Sequence, residues 1–451
     1  MASSPLDRPA SIKSYSDFIC ESYGFDSATG TITLSWSFAP DGPDFTEEIC
    51  LGASRHPHGP DMEALDNLLP LLHAAAGISY YKAYVPPLID APLTRQDAKF
   101  FNSFYREGLG EFAHRNNIDL SRHEFFEEED GFPSSPVALD LPRRALVLVG
   151  GGKDSLVSIE TLRAAGDDIT LFAVNPAAPI AACIERADLP ALTVTRRIDP
   201  RLFEENANGA YNGHVPITGI ISFIAAAAAL WHGYDKIVLS NERSANEATV
   251  DGVNHQYSKS QSFESAFIDL LHRSVTPSLA YTSLLRPLSE VGIARLFAKS
   301  ERYDDAFTSC NKAYSVTRPM VDKRWCGECP KCLFVYLALA TAAPRARLVR
   351  IFGTDLLDDP ALETGFRELC GLAGQKPWEC VGEILESAAA LYHLSQHDEW
   401  ADSVIVARLR DDLIAQYGGE KLDAEYARAL SFADAPTLSP ADLKKLQAYA
   451  A

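Results

Sequence analysis

The stretch Arg144-Ala-Leu-Val-Leu-Val-Gly150-Gly151-Gly152-Lys153-Asp154-Ser155-Leu-Val-Ser158 decides how the rest of the chain is read. A short apolar run ends in three glycines and a Lys-Asp-Ser triplet, and Ile159 and Leu162 carry a helical pattern toward a C-cap at Gly166. This spacing predicts a strand, a glycine turn and a helix start. Glycines let backbone N–H groups approach an anion closely, and a helix N-terminus favours negative charge. The stretch therefore reads as a nucleotide phosphate site, although it has neither the Walker spacing nor the dinucleotide Gly-x-Gly-x-x-Gly spacing.

Around it, residues 141–343 alternate strands and helices. Strands are expected at Ala145–Val149, Ile169–Val174, Leu192–Val194, Ile237–Ser240 and Tyr281–Leu284, with helices at Ser155–Ala165, Ile217–Trp231 and Phe263–Arg273. Continuous apolar strands separated by helices argue for a parallel sheet covered on both faces. Ligands of such sheets sit beyond the C-terminal strand ends. Gly150–Ser155, Asn175-Pro176 and Asn241-Glu242-Arg243-Ser244 all fall there.

Residues 1–140 read as an N-terminal α+β domain. Phe18–Gly24, Thr31–Phe38 and Phe45–Leu51 form an antiparallel meander, and helices follow from Asp61 and over Gln96–Glu107. The run from Glu127 to Pro136 reads as a solvated linker. Residues 344–451 read as a C-terminal helical subdomain, with a short strand at Leu348–Phe352.

The chain of 451 residues is 47% hydrophobic and carries a formal charge of -20. Such an acidic balance disfavours nucleic acid as a partner, since that affinity rests on Lys and Arg. The alanine-rich Ile217–Trp231 run is too short to span a bilayer, and the N-terminus lacks a signal-peptide pattern, so no membrane partner and a cytoplasmic location are expected. Cys310 and the run Cys326-Gly-Glu-Cys329-Pro-Lys-Cys332 supply four thiolates at metal-ligand spacing. That pattern predicts a structural zinc site, because four protein ligands leave no open position.

Gly150–Ser155 resembles the Ser-Gly-Gly-x-Asp-Ser signature of the PP-loop ATP pyrophosphatase superfamily, with Gly150 in place of the first Ser. The resemblance implies an adenine nucleotide alpha hydrolase-like domain that cleaves ATP between the α- and β-phosphates. It also implies that Gly150, Gly151, Gly152, Lys153, Asp154 and Ser155 hold the phosphates, that Asp154 helps place magnesium, and that Asn175, Asn241 and Glu242 lie beside the nucleotide. The cysteine run is similar to the zinc knuckle of such enzymes.

Further motifs narrow the resemblance. Phe25-Asp-Ser-Ala-Thr-Gly30, Gly77-Ile-Ser-Tyr80-Tyr81-Lys82, Asn241–Asn246, Asn254-His255-Gln256-Tyr257-Ser258-Lys259 and Lys376-Pro-Trp-Glu-Cys380 together resemble the MurL-type UDP-N-acetylmuramoyl-L-alanyl-L-glutamate epimerases. This implies ATP-dependent inversion of the terminal glutamate of a UDP-muramoyl dipeptide. Lys82 and His255 are the candidate bases, with Lys259 near the acceptor. Arg286, Arg318, Lys323 and Arg324 are candidates for a local basic pocket. Tyr80 and Tyr81 read individually as packing residues. The alternative is a PP-loop amide-forming, nitrile-forming or thiolation enzyme that adenylates another acceptor.

Overall fold

A computed structural model describes residues 12–120, 123–128, 135–246, 254, 256–314, 323–374, 377, 379 and 381–451. In chain order the first elements are β1 (Asp17–Asp26), β2 (Thr31–Ala39), β3 (Asp44–Cys50), α1 (Met62–Tyr81), β4 (Leu88–Asp90), α2 (Arg95–Gly108) and α3 (Gly110–Asn116). Next come β5 (Ala145–Leu148), α4 (Lys153–Ala164), β6 (Ile169–Val174), α5 (Ala178–Ala187), β7 (Ala191–Arg197), α6 (Arg201–Ala207), α7 (Ile217–His232), β8 (Lys236–Leu239), α8 (Gln261–Ser274) and β9 (Ala280–Ser283). The rest is helical: α9 (Glu290–Phe297), α10 (Pro330–Ala340), α11 (Arg345–Phe352), α12 (Glu363–Leu369), α13 (Ile384–Leu394), α14 (Val404–Tyr417), α15 (Gly419–Ala429) and α16 (Pro440–Ala450).

The nine strands form one mostly parallel sheet in the order β4-β1-β2-β3-β7-β6-β5-β8-β9. The chain divides into two compact units. One comprises Met1–Leu146, Leu192–Ile237 and Asp251–Tyr281; the other comprises Val147–Ala191, Val238–Val250 and Thr282–Ala451.

In the first unit the meander forms because its residues alternate. Ile32, Leu34, Trp36 and Phe38 of β2 are buried, while the residues between them are more exposed. β1 and β3 pair antiparallel with β2, and β4 runs parallel to β1. α1 starts at Asp61, whose carboxylate caps the Ala64 N–H at 3.1 Å. Its apolar face includes Leu65, Leu68, Leu69 and Leu72.

The Gly77–Tyr81 segment forms the last turns of α1, and Lys82 is its C-cap. Gly77 is required there by space: a Cβ would lie 2.8 Å from Trp36 Nε1 and 3.2 Å from Phe18. Tyr80 stacks between Trp36 (4.7 Å) and Phe45 (5.0 Å), so the packing reading of this tyrosine holds. The alanine-rich run is α7, which packs on α1 in the core. No helix among the described residues is long and apolar enough to cross a membrane.

In the second unit the strand expected at Leu348–Phe352 is instead the latter part of α11. Leu348, Ile351 and Phe352 are buried at helical spacing, and Gly353 ends the helix with φ +82°. A five-residue stretch with four apolar residues around Arg350 reads alike in either state, and periodicity alone cannot separate them. Arg347, just before those apolar positions, is buried against Asp304 with hydrogen bonds of 2.9 and 2.8 Å.

Candidate active site

β5 ends at Leu148, and the chain then turns through three glycines into α4. Gly151 has φ +81°, and a Cβ on it would fall 2.4 Å from Tyr314 Oη. Only glycine adopts this conformation beside that phenol without displacement. Gly152 is the N-cap of α4 and supplies no side-chain cap. The first-turn N–H groups of a helix have no partner within the helix. Here no side chain caps them, and the macrodipole favours negative charge at this end. The Ser155 hydroxyl donates back to Gly152 O at 3.1 Å, which tightens the turn.

Lys153 does not project into solvent. It is 2% exposed and donates to Asp154 Oδ1 at 2.5 Å and to Glu290 of α9. Burial opposes its charge, but the carboxylates of Asp154 and Glu290 overcome that and hold it as an ammonium above the ordinary lysine range. Burial raises the proton affinity of Glu290, the Lys153 ammonium opposes this, and Asp154 and Glu242 add to the rise. Two carboxylates thus contact one ammonium, and Glu242 adds a third negative charge felt by Glu290. A divalent cation arriving with a polyphosphate would relieve that excess of negative charge.

Glu242, which follows β8, is buried and accepts from Ser244 Oγ at 3.1 Å. Asn241 donates to Ser283 Oγ at 3.0 Å. Asn175 lies just past β6, exposed, with φ +44°. Asn tolerates that left-handed conformation better than most residues. Arg286, expected in a substrate pocket, is instead 1% exposed and donates to the Glu242 carbonyl at 2.8 Å. It is a bracket for the Glu242 segment. Lys323 is exposed and Arg324 half-buried, while Arg318 lies outside the described residues.

The four cysteines converge as their spacing predicts. Cys310 Sγ lies 3.9 Å from Cys329 Sγ, Cys326 Sγ is 3.6 Å from Cys332 Sγ, and Cys329 and Cys332 are 3.4 Å apart. Tetrahedral zinc with Zn–S bonds near 2.3 Å needs sulfur separations of roughly 3.8 Å. The Cys329 N–H donates to Cys326 Sγ at 3.3 Å, and Pro330 starts α10 so that Cys332 turns back toward the others. The soft, four-thiol donor set and its spacing fit a structural zinc ion.

The other candidates belong to the first unit. Lys82 is 5% exposed, and its Nζ donates to Asn212 Oδ1 at 2.9 Å. With the neutral Asn212 as its partner and no carboxylate beside it among the described residues, burial pushes it down to about 8. Lys259 sits half-buried in the short turn Tyr257–Lys259, and His255 lies outside the described residues.

Two functional-looking groups escaped the sequence reading. Glu290 is one. The other is a buried network: Arg196 holds Glu47 through bonds of 2.7 and 2.9 Å, and Tyr80 donates to Glu47 at 3.0 Å. The Gly77–Lys82 motif was the only signal for the latter, through Tyr80.

Comparison with known proteins decides the family. The MurL N-terminal domain family matches residues 10–284, and the MurL C-terminal domain family matches residues 306–424. The chain belongs to the MurL epimerase family. It is 44% identical over 413 residues to a protein of Xanthomonas oryzae pv. oryzae named UDP-N-acetyl-alpha-D-muramoyl-L-alanyl-L-glutamate epimerase, covering 90% of this chain and 91% of that one. Proteins of the same name from Salinispora tropica and a Micromonospora species are 44% and 42% identical. Those alignments cover 87% and 92% of this chain, and 88% and 97% of the relatives. The MurL resemblance read from the motifs therefore holds at the level of the family.

Proposed function

We propose that the protein is an ATP-dependent epimerase that inverts the terminal L-glutamate of UDP-N-acetylmuramoyl-L-alanyl-L-glutamate, in the cytoplasmic synthesis of a peptidoglycan precursor. The epimerase part is supported by 42–44% identity to proteins of that name over about nine-tenths of the chain. The ATP part rests on one observation: the uncapped N-terminus of α4, entered through Gly150–Gly152, with Lys153 and Asp154 in its first turn.

The chemistry explains why an epimerase would need a nucleotide. Removing the α-proton beside an ionised carboxylate would place a carbanion next to an existing negative charge. The carboxylate oxygen instead attacks the α-phosphorus of ATP, the bond to the β-phosphate oxygen breaks, and pyrophosphate leaves. The resulting acyl-adenylate carbonyl can take up the electron pair when the α-proton departs to a base. A proton then returns on the opposite face, and water cleaves the acyl-phosphate bond to release the carboxylate and AMP.

In this reading the N–H groups of the glycine turn and first turn of α4 bind the phosphates. Lys153 neutralises charge, and Asp154, with Glu242 and Glu290 behind it, offers oxygen ligands. Magnesium would shield the departing pyrophosphate. Lys82 is the base, because a buried amine near pH 8 can be neutral at working pH. Lys259 lies near the acceptor, and His255 is the second proton-transfer candidate.

The test uses ATP, magnesium and the UDP-muramoyl dipeptide in deuterated water. Deuterium at the glutamate α-carbon, inverted product and AMP are expected together. AMP formed without α-exchange would sink the epimerase reading, and exchange without ATP would sink the adenylate.

A further inference from the structure

We propose that the metal-holding cysteine cluster acts as a brace for the phosphate loop, with Tyr314 and Thr308 as positioning residues, so that metal loading sets nucleotide affinity. The proposal rests on the ATP-binding reading above. Its observations all lie in one compact unit.

The segment Thr308–Tyr314 holds the glycine turn by its carbonyls. Thr308 N–H donates to Gly151 O at 3.0 Å. Tyr314 Oη lies 3.1 Å from Gly150 O and 3.1 Å from Thr308 O, so its one proton is shared between the turn and the segment. Contact is close enough to exclude side chains: a Cβ on Gly152 would fall 2.8 Å from Ser309 Oγ.

The consequence follows from peptide geometry. In a trans peptide, the C=O of one residue and the N–H of the next point to opposite sides. Holding the Gly150 and Gly151 carbonyls on the Thr308–Tyr314 side turns the Gly151 and Gly152 N–H groups the other way. Dipoles fixed in advance stabilise an anion without reorganisation when it arrives.

Cys310 lies within this segment. Its N–H donates to Thr308 Oγ1 at 3.1 Å, its carbonyl accepts from Ala313 N–H at 3.0 Å, and Thr308 Oγ1 donates to Arg324 O at 2.8 Å. The thiol faces Cys329 and the rest of the knuckle at the start of α10. Metal bonds would tie the segment to that helix. Without them weak sulfur hydrogen bonds, the Thr308–Arg324 contact and the exposed Lys312–Glu328 ion pair remain among the described residues, and the turn has a looser backing.

Three preparations of the full chain test this: zinc-loaded wild type, Tyr314→Phe and Cys329→Ser. Cys329 lies outside Thr308–Tyr314 and meets it through the Cys310 thiol, so chelator-stripped wild type is compared with Cys329→Ser to separate loss of metal from loss of that contact. The readouts are zinc content by mass spectrometry and affinity for a non-hydrolysable ATP analogue by calorimetry. Wild type should hold about one zinc.

Tyr314→Phe should keep its zinc and bind the analogue about three- to tenfold more weakly, the loss of one hydrogen bond. The KM for ATP should rise by the same factor, with kcat little changed. Cys329→Ser should lose zinc and weaken binding by more than about tenfold. If it does not fold, wild type stripped with a chelator should lose affinity and regain it when zinc returns. Metal-free protein that binds the analogue as tightly as loaded protein overturns the brace, as does an unchanged affinity in Tyr314→Phe. Loaded protein that binds neither the analogue nor pyrophosphate overturns both the brace and the ATP reading. Binding without epimerisation overturns only the substrate assignment.

Discussion

Lys82 and Lys153 are both buried lysines, and their surroundings shift their proton affinities in opposite directions. Lys153 lies between the carboxylates of Asp154 and Glu290 and stays charged. Lys82 has the Asn212 amide oxygen as its partner, and burial brings it down to about 8. A base must be unprotonated to accept the α-proton. The kcat/KM for epimerisation should therefore rise with pH through an apparent pKa near 8, since below it Lys82 is an ammonium. Lys82→Met should abolish exchange across the whole range. A limb near about 6.5 that vanishes in His255→Gln would move the role to His255.

At the scale of elements, the glycine turn makes its own comparison. Gly150 has open space where a Cβ would go, whereas Gly151 has φ +81° and Tyr314 Oη 2.4 Å away. Gly150→Ala should bind ATP much as wild type does. Gly151→Ala should lose more than about tenfold in affinity, with left-handed strain of about 1–2 kcal/mol lowering its urea midpoint. Equal effects of the two changes would show that the backbone conformation here does not matter.

The sequence announced this turn because strand, glycines and helix start are local signals. β2 was legible in the same way through its alternating buried positions, and β6 through a run that is apolar save for Thr170. Glu290 was not, because it meets Lys153 from 137 positions away and nothing local marks it. α10 was missed for another reason: every residue from Cys332 to Ala340 is buried, which leaves no polar face to give a helical period. The short strand assigned over Leu348–Phe352 failed because four apolar residues around Arg350 fit a half-buried helix equally well.

At the scale of the whole molecule, the glycine loop and the proposed base belong to different compact units: Asp154 to one and Lys82 to the other. The proposed chemistry makes their dependence one-way. Adenylation needs the loop but no base. Proton exchange needs both, because the α-proton is accessible only after the carboxylate is activated. Asp154→Ala should therefore stop pyrophosphate release and deuterium incorporation together. Lys82→Met should stop incorporation while a first-turnover burst of pyrophosphate survives, and slow hydrolysis of the stranded acyl-adenylate should then release AMP with the glutamate still in the L form. Rapid-quench measurement of pyrophosphate beside mass spectrometry of the dipeptide separates the two events. Exchange persisting in Asp154→Ala would mean that activation does not precede proton removal. Loss of the burst in Lys82→Met would mean that Lys82 serves adenylation and not the α-carbon.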